Sequence, residues 1–211
     1  MAWEVWLTFF GAAIAISVSP GAGAIQSMAT GLTHGVRRGY WSILGLEVGL
    51  MLQLALVAVG LGAAVANSIL AFNIIKWIGV AYLVYLAVRQ WRTATVDLRE
   101  QVGRAMDGGR VALLVRGFLV NATNPKGLVF FLAVLPQFVA PEAGWVPGQL
   151  LLLGGIFVVL ALLSDGTWAL VAGSARDWFA RSPKRVERLG TTGGVMMIGL
   201  GGVLALTGST K

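Results

Sequence analysis

The sequence predicts an all-α integral membrane protein of six transmembrane helices, arranged as two inverted three-helix repeats, with helices one and four broken at Pro20 and Pro125. Three observations predict it. Of 211 residues, 57% are hydrophobic and 12% charged, whereas a soluble domain is about 45–50% apolar and about 25% charged. Six apolar runs alternate between basic connectors and connectors with no basic residue. Finally, the first and fourth runs each carry a proline among polar side chains, deep in otherwise apolar sequence.

A span needs about 20 apolar residues. The candidates are Trp3 to about Ile25, Trp41 to Leu61, Ser68 to Val88, Val111 to Val139, Pro147 to Gly173, and Leu189 to Leu206. Met1-Ala-Trp-Glu lacks the positive start of a signal peptide, so the first run is expected to be a retained span. No soluble domain fits between the runs. The expected organisation is a single transmembrane domain: a first half over residues 1–91, a cytoplasmic loop over 92–110 and a second half over 111–211.

Orientation follows from the basic residues, because cytoplasmic loops accumulate Lys and Arg. Arg37 and Arg38 lie between runs one and two. Arg89, Arg92, Arg99, Arg104 and Arg110 lie between three and four, and Arg176, Arg181, Lys184, Arg185 and Arg188 between five and six. The connectors Gly62 to Asn67 and Ala140 to Val146 have none. With six spans, both termini are expected on the non-cytoplasmic side. The net charge of +7 therefore reads as membrane orientation rather than nucleic-acid binding. Trp3, Trp6, Trp41, Trp77, Trp91, Trp145 and Trp178 sit at or near run ends, as an aromatic belt at the headgroups does.

Run four contains Phe118-Leu-Val-Asn-Ala-Thr-Asn-Pro-Lys-Gly. Pro125 removes a backbone donor and disfavours helical geometry at Asn124. In lipid an unpaired backbone group costs several kcal/mol, so a helix breaks only where protein or a water-lined cavity satisfies the freed groups. Run one carries Ser17-Val-Ser-Pro-Gly-Ala-Gly-Ala-Ile-Gln. There Pro20, Gly21 and Gly23 should interrupt the helix, while Ser17, Ser19, Gln26 and Ser27 supply polar groups. A packing kink explains either proline alone. Paired breaks opening two odd-numbered, hence inverted, halves point to a central binding site.

Four ionisable residues fall inside the runs: Glu47, Lys76, Lys126 and Asp165. Each should face the protein interior or a cavity, or else snorkel. Lys76 lies near the outer part of its run and is expected to reach the interface. Lys126 is deeper. Glu47 and Asp165 lie at similar depth from the basic side, and either carboxylate is a candidate for proton binding, pairing with Lys126, or contact with a substrate ammonium. By helical phase Gly45, Gly49 and Gln53 share one face, a close helix contact, and Glu47 points the other way with Leu50, Met51 and Leu54. That makes Asp165 the stronger proton or cation candidate. Glycine-rich faces such as Gly45/Gly49 and Gly190/Gly194 could pack within the chain or between protomers, leaving a homo-oligomer open.

Composition excludes several chemistries. With no cysteine there is no disulfide, thiol catalysis or thiolate metal site, and the single histidine, His34, precludes a multi-histidine centre. No nucleophile–base pair stands out, so an enzyme is not expected, nor is a cofactor.

Ser19-Pro-Gly, Gly31-Leu-Thr-His-Gly-Val-Arg-Arg-Gly and Gly79-Val-Ala-Tyr-Leu in the first half, with Asn121 to Lys126 and Phe130-Phe-Leu-Ala-Val-Leu-Pro-Gln-Phe-Val in the second, resemble the LysE/RhtB family of amino-acid exporters. The resemblance covers nearly the whole chain. It implies efflux of amino acids or close derivatives such as homoserine and its lactone, threonine, leucine or lysine across the bacterial inner membrane, coupled to the proton-motive force. By motif it singles out Pro20, Gly21, Asn121, Asn124, Pro125, Lys126 and Gln137. Ala22 and Gly23 depart from the proline and the asparagine or glycine that many members carry after Pro-Gly, and Glu47 replaces an expected neutral residue. The reading is a secondary exporter with a substrate site at Ser19, Pro20, Gly21, Gly23, Asn121, Asn124, Pro125 and Lys126, with Asp165 and Glu47 for proton coupling or cation contact. The alternative is a divalent metal-ion transporter, for which Glu47, Asp165, Asn121 and Asn124 offer oxygen ligands, although two carboxylates are few.

Overall fold

The computed structural model describes residues 3–65 and 108–174, with isolated positions between 74 and 88. Spans three and six, most of the 92–110 connector and Lys76 lie outside the described residues. Among the described residues every regular element is helical: α1 (Trp3–Val18), α2 (Ala22–Val65), α3 (Arg110–Ala122), α4 (Pro125–Val129) and α5 (Val146–Ser174), with short π and 3-10 turns after α4. Ala22–Val59 and Val146–Ser174 are each long and apolar enough to cross a membrane. Arg110–Ala122 and Pro125–Phe138 pass the same test taken together, bent by 43°.

Both proline breaks are present. α1 stops at Val18 and the chain restarts as a helix at Ala22; α3 stops at Ala122 and restarts at Pro125. The stretch between spans one and two differs from expectation. Gln26 to Arg38, which runs from the polar groups of the first break to the basic pair between spans one and two, is helical and belongs to α2. A straight helix of its 44 residues would run about 66 Å, roughly twice the hydrocarbon thickness. Gly35 resolves this with φ 73 and ψ 169, a conformation that is essentially glycine-only. The two limbs of α2 thus join at one residue. Gln26 and Ser27, expected to supply polar groups around the first break, are fully buried, and so is Thr30.

After α4 the backbone passes through a π turn (Phe130–Val134) and a 3-10 turn (Leu135–Phe138). Pro136 has no N–H to continue the α ladder, and the Leu135 N–H bonds the Phe130 carbonyl five residues back. At the next turn the Gln149 side chain accepts from Ala140 N at 2.9 Å and donates to Ala140 O at 2.9 Å and Gly144 O at 2.6 Å, anchoring the start of α5.

α2 packs along both α3 and α5. Its Gly45/Gly49 face meets α3 as expected: side chains at Gly45 and Gly117 would collide with the carbonyls of Leu114 and Ser42. The opposite face, with Leu50 and Leu54, is buried toward α5, where Leu54 fills the space beside Gly154. α5 has apolar residues all round, with Leu152, Val159 and Leu163 exposed and Leu150, Leu153 and Phe157 buried. That is the pattern of a helix in hydrocarbon rather than at a water boundary. The aromatic core joins α1, α5 and the turns after α4: Phe130 stacks on Phe157 at 4.1 Å between centroids, and Phe9 meets Phe138 edge-on at 5.5 Å. Trp3 and Trp145 are exposed, and the Arg110 guanidinium lies 5.9 Å from the Trp41 ring.

Gly117→Val should force α2 and α3 apart and lower stability by about 3 kcal/mol, at the upper end of overpacking costs. Thermal unfolding of the purified protein in detergent measures it, with Gly155→Val, where a Cβ meets nothing within 4 Å, as the mild control.

Candidate functional site

The two helix breaks meet. Pro125 has no N–H for its helical partner, the Asn121 carbonyl, and the Asn124 N–H takes that place at 3.0 Å. The Lys126 N–H, which a continuous helix would direct to Ala122, goes to Asn124 Oδ1 at 3.0 Å. Asn124 therefore caps the restarted helix in the usual Asn manner. The Ala122 carbonyl so released accepts from Gln53 Nε2 of α2 at 3.2 Å, and the same amide donates to Asn124 O at 2.9 Å.

The first break is satisfied from other elements. In a continuous helix the Ser17 and Ser19 carbonyls would serve the N–H groups of Gly21 and Gly23. Here Ser164 Oγ of α5 donates to Ser17 O at 2.9 Å, and Ser17 Oγ donates to Leu160 O at 3.0 Å. Lys126 Nζ donates to Ser19 O through a short hydrogen bond. The lysine of one break thus ties the backbone of the other.

A cavity of about 50 Å³ lies where they meet, lined by Ser17, Ser19, Gly21 and Gly23 from the first break, Asn121, Asn124 and Lys126 from the second, and Asp165 from α5. Its apolar wall is Ile16, Leu50, Phe157 and Ala161. At this volume there is room for roughly four waters. A Cβ at Gly21 would sit 3.4 Å from Lys126 Nζ, and one at Gly23 would sit 3.3 Å from Asp165 Oδ2 and 3.4 Å from Asn121 Oδ1. The absent side chains let the cation and the carboxylate approach the start of α2, whose first N–H groups carry the positive end of the helix dipole. Asn121 is held by Nδ2 donating to Leu46 O at 3.0 Å and by Asn124 Nδ2 donating to its Oδ1 at 3.1 Å.

Of the residues singled out from sequence, Ser19, Gly21, Gly23, Asn121, Asn124, Lys126 and Asp165 surround this one cavity. Pro20 and Pro125 shape its walls through the breaks without lining it. Gln137 does not reach it; its Nε2 donates to Ala133 O of the preceding turn at 2.7 Å. Glu47 is buried but also outside the cavity, and Gln53 serves backbone carbonyls behind it. Sequence reasoning missed Ser164, Leu50, Phe157 and Ala161. Only Ser164, a hydroxyl beside the intramembrane Asp165, left a readable signal. Among the described residues no three His, Asp or Glu side chains converge as a metal-binding group.

A model of the LysE type translocator family matches residues 14–208. The chain belongs to that family. A homoserine/homoserine lactone efflux protein of Salmonella typhimurium is 37% identical over 206 residues, spanning 97% of this chain and 98% of the relative. An uncharacterised membrane protein of Vibrio cholerae is 40% identical over 96% of this chain and 97% of its own length. More distantly, a leucine efflux protein of Klebsiella pneumoniae is 24% identical over 95% of this chain and 94% of the relative. No solved structure matches. The LysE family membership accords with an all-helical membrane protein whose polar groups gather at two helix breaks.

Gln53→Leu keeps the volume but leaves the Ala122 carbonyl without its side-chain donor. It should destabilise this translocator by about 1–3 kcal/mol, read as a lower unfolding temperature, with Met51→Leu on the exposed face nearly neutral.

Proposed function

We propose that this LysE-family protein is a secondary exporter of amino acids or close derivatives, and that the cavity between the two helix breaks is its substrate site. The observation that carries the reading is the convergence of one cation, Lys126, and one carboxylate, Asp165, with two interrupted helices on a single cavity. An amino acid presents the complementary pair of charges. Its carboxylate meets Lys126 and the N–H groups at the start of α2, where the dipole favours an anion. Its ammonium meets Asp165, with the Asn121 and Asn124 amides orienting it. The relatives named for homoserine, homoserine lactone and leucine efflux support this substrate class.

The cavity is smaller than such a substrate, so binding requires its walls to part. Lys126 then exchanges the Ser19 carbonyl for the substrate carboxylate, which loosens the tie between the two breaks. Asp165 binds either a proton or the substrate ammonium. That competition couples efflux to the proton-motive force. In the full architecture residues 1–91 and 111–211 form two inverted three-span halves around the site, joined by a cytoplasmic loop over 92–110. Support comes from proline breaks at corresponding positions in the two halves. The basic residues Arg37, Arg38 and Arg110 support an orientation with these positions on the cytoplasmic side of the bacterial inner membrane and both termini on the opposite side.

Proteoliposomes loaded with homoserine, homoserine lactone and leucine test this directly. Wild-type protein should release one or more of them selectively, faster with an imposed proton gradient. Asp165→Asn should abolish the response to the gradient, and Lys126→Met should raise KM for carboxylate-bearing substrates by roughly 30-fold or more, as loss of one buried charged partner does. Release that ignores both substitutions would remove the cavity from the transport path.

A further inference from the structure

Glu47 lies outside the substrate cavity, is 6% exposed, and finds no hydrogen-bond partner for either carboxylate oxygen among the described residues. A carboxylate buried without a partner is costly, and taking up a proton removes that cost. Its neighbour Leu46 gives its carbonyl to Asn121, which lines the cavity, and the Glu47 carboxylate lies within electrostatic reach of Asp165. Glu47 therefore follows directly on the residue whose carbonyl holds this cavity-lining amide.

A column of polar groups leads away from Asp165 and Asn121 along α2. Gly23 faces Asp165 and Asn121. One turn further along α2 come Gln26 and Ser27, both fully buried, with Gln26 Oε1 and Ser27 Oγ lacking partners among the described residues. Gln26 Nε2 donates to Ser42 Oγ on the other limb at 3.0 Å, so the polar groups bridge both limbs. The next turn holds Thr30, and the last holds Thr33, whose Oγ1 is 2.8 Å from His34 Nδ1. Beyond it Arg37 and Arg38 are exposed. Alongside, α5 keeps pace, for Gly31 lies against the Ala169 carbonyl one turn past Asp165. Buried polar atoms that the protein leaves unpaired are the ones ordered water serves.

We propose that Glu47 relays protons between Asp165 and the basic face of the protein along this column, separately from the substrate cavity. The inference rests on the exporter reading and names a second group for its coupling. Glu47, neutral at rest, first yields its proton to water in the column. When a substrate ammonium takes its place at Asp165, the Asp165 O–H bond breaks and an O–H bond forms again on Glu47, directly or through one water, so that one proton passes on and Glu47 is neutral once more. The charged groups around it fit this direction. Asp165 on α5 acts electrostatically on Glu47, and Lys126 lines the cavity with Asp165. Arg38 and Arg116 act on His34 at the column's far end, and α1 carries only Glu4, in its first turn.

The test separates exchange from driven transport in proteoliposomes. In Glu47→Gln, proton-gradient-driven homoserine efflux should fall by roughly 100-fold while homoserine exchange at equal pH stays within about two-fold, the range expected when only proton transfer is lost. Glu47→Asp should restore driven efflux. Undiminished driven efflux in Glu47→Gln would overturn the relay, and so would parallel loss of exchange in a folded variant, which would place Glu47 in the substrate site. Infrared difference spectra across pH provide a readout that needs no transport. The wild type should show a carboxylic acid carbonyl band that Glu47→Gln removes, and a spectrum unchanged by the substitution overturns the relay. Wild-type protein that exchanges none of the amino acids, yet shows the Glu47 band, would count against the exporter reading alone.

Discussion

Hydrocarbon offers no hydrogen bonds, and the arrangement around the site follows from that constraint. Two prolines interrupt two helices within apolar sequence, and each interruption frees carbonyls that must be satisfied by protein. The chain answers with side chains from other elements: Ser164 for Ser17, Lys126 for Ser19, and Gln53 for Ala122 and Asn124. Because the donors come from α5, α4 and α2, repairing the backbone also assembles the site. The polar groups a ligand could use are the ones the fold needs to survive its own breaks.

This dual duty places the charges. Lys126 projects toward the first break because a carbonyl there requires a donor, which brings an ammonium to the cavity wall. Asp165 faces the start of α2, where Gly23 leaves room for it. A cavity that pairs an ammonium with a carboxylate is what the proposed zwitterionic substrate requires. Phe157, which lines the cavity, is backed by the close-packed rings of Phe130 and Phe131.

Much of this was legible in the sequence because membranes punish exceptions. Pro20, Pro125, Lys126 and Asp165 stand out in apolar runs, and seven of the residues chosen on that ground share one cavity. The Gly45/Gly49 face was readable from helical phase alone. The join between spans one and two was not. The polar letters of Gln26 and Ser27 mark the break, but only tertiary contacts show that Gln26 is buried against the Ser42 hydroxyl of a second limb. Leu50, Phe157 and Ala161 were equally silent, since an apolar side chain lining a cavity has the same letter as one facing lipid. The π turn before Pro136 escaped notice because proline alone does not say whether a helix will kink, stop or widen.

The join at Gly35 has a mechanical consequence. The limb that begins at the first break and the limb that carries Ser42, Glu47 and Gln53 are two arms meeting at a single residue, with no slack of loop between them. Any swing of one arm is transmitted to the other through that pivot. Gln53 holds the second break and Ala22 opens the first, so a motion that widens one end of the cavity is geared to the far end. A linker of several residues would absorb such a motion. One glycine, held in a conformation that other residues rarely adopt, passes it on.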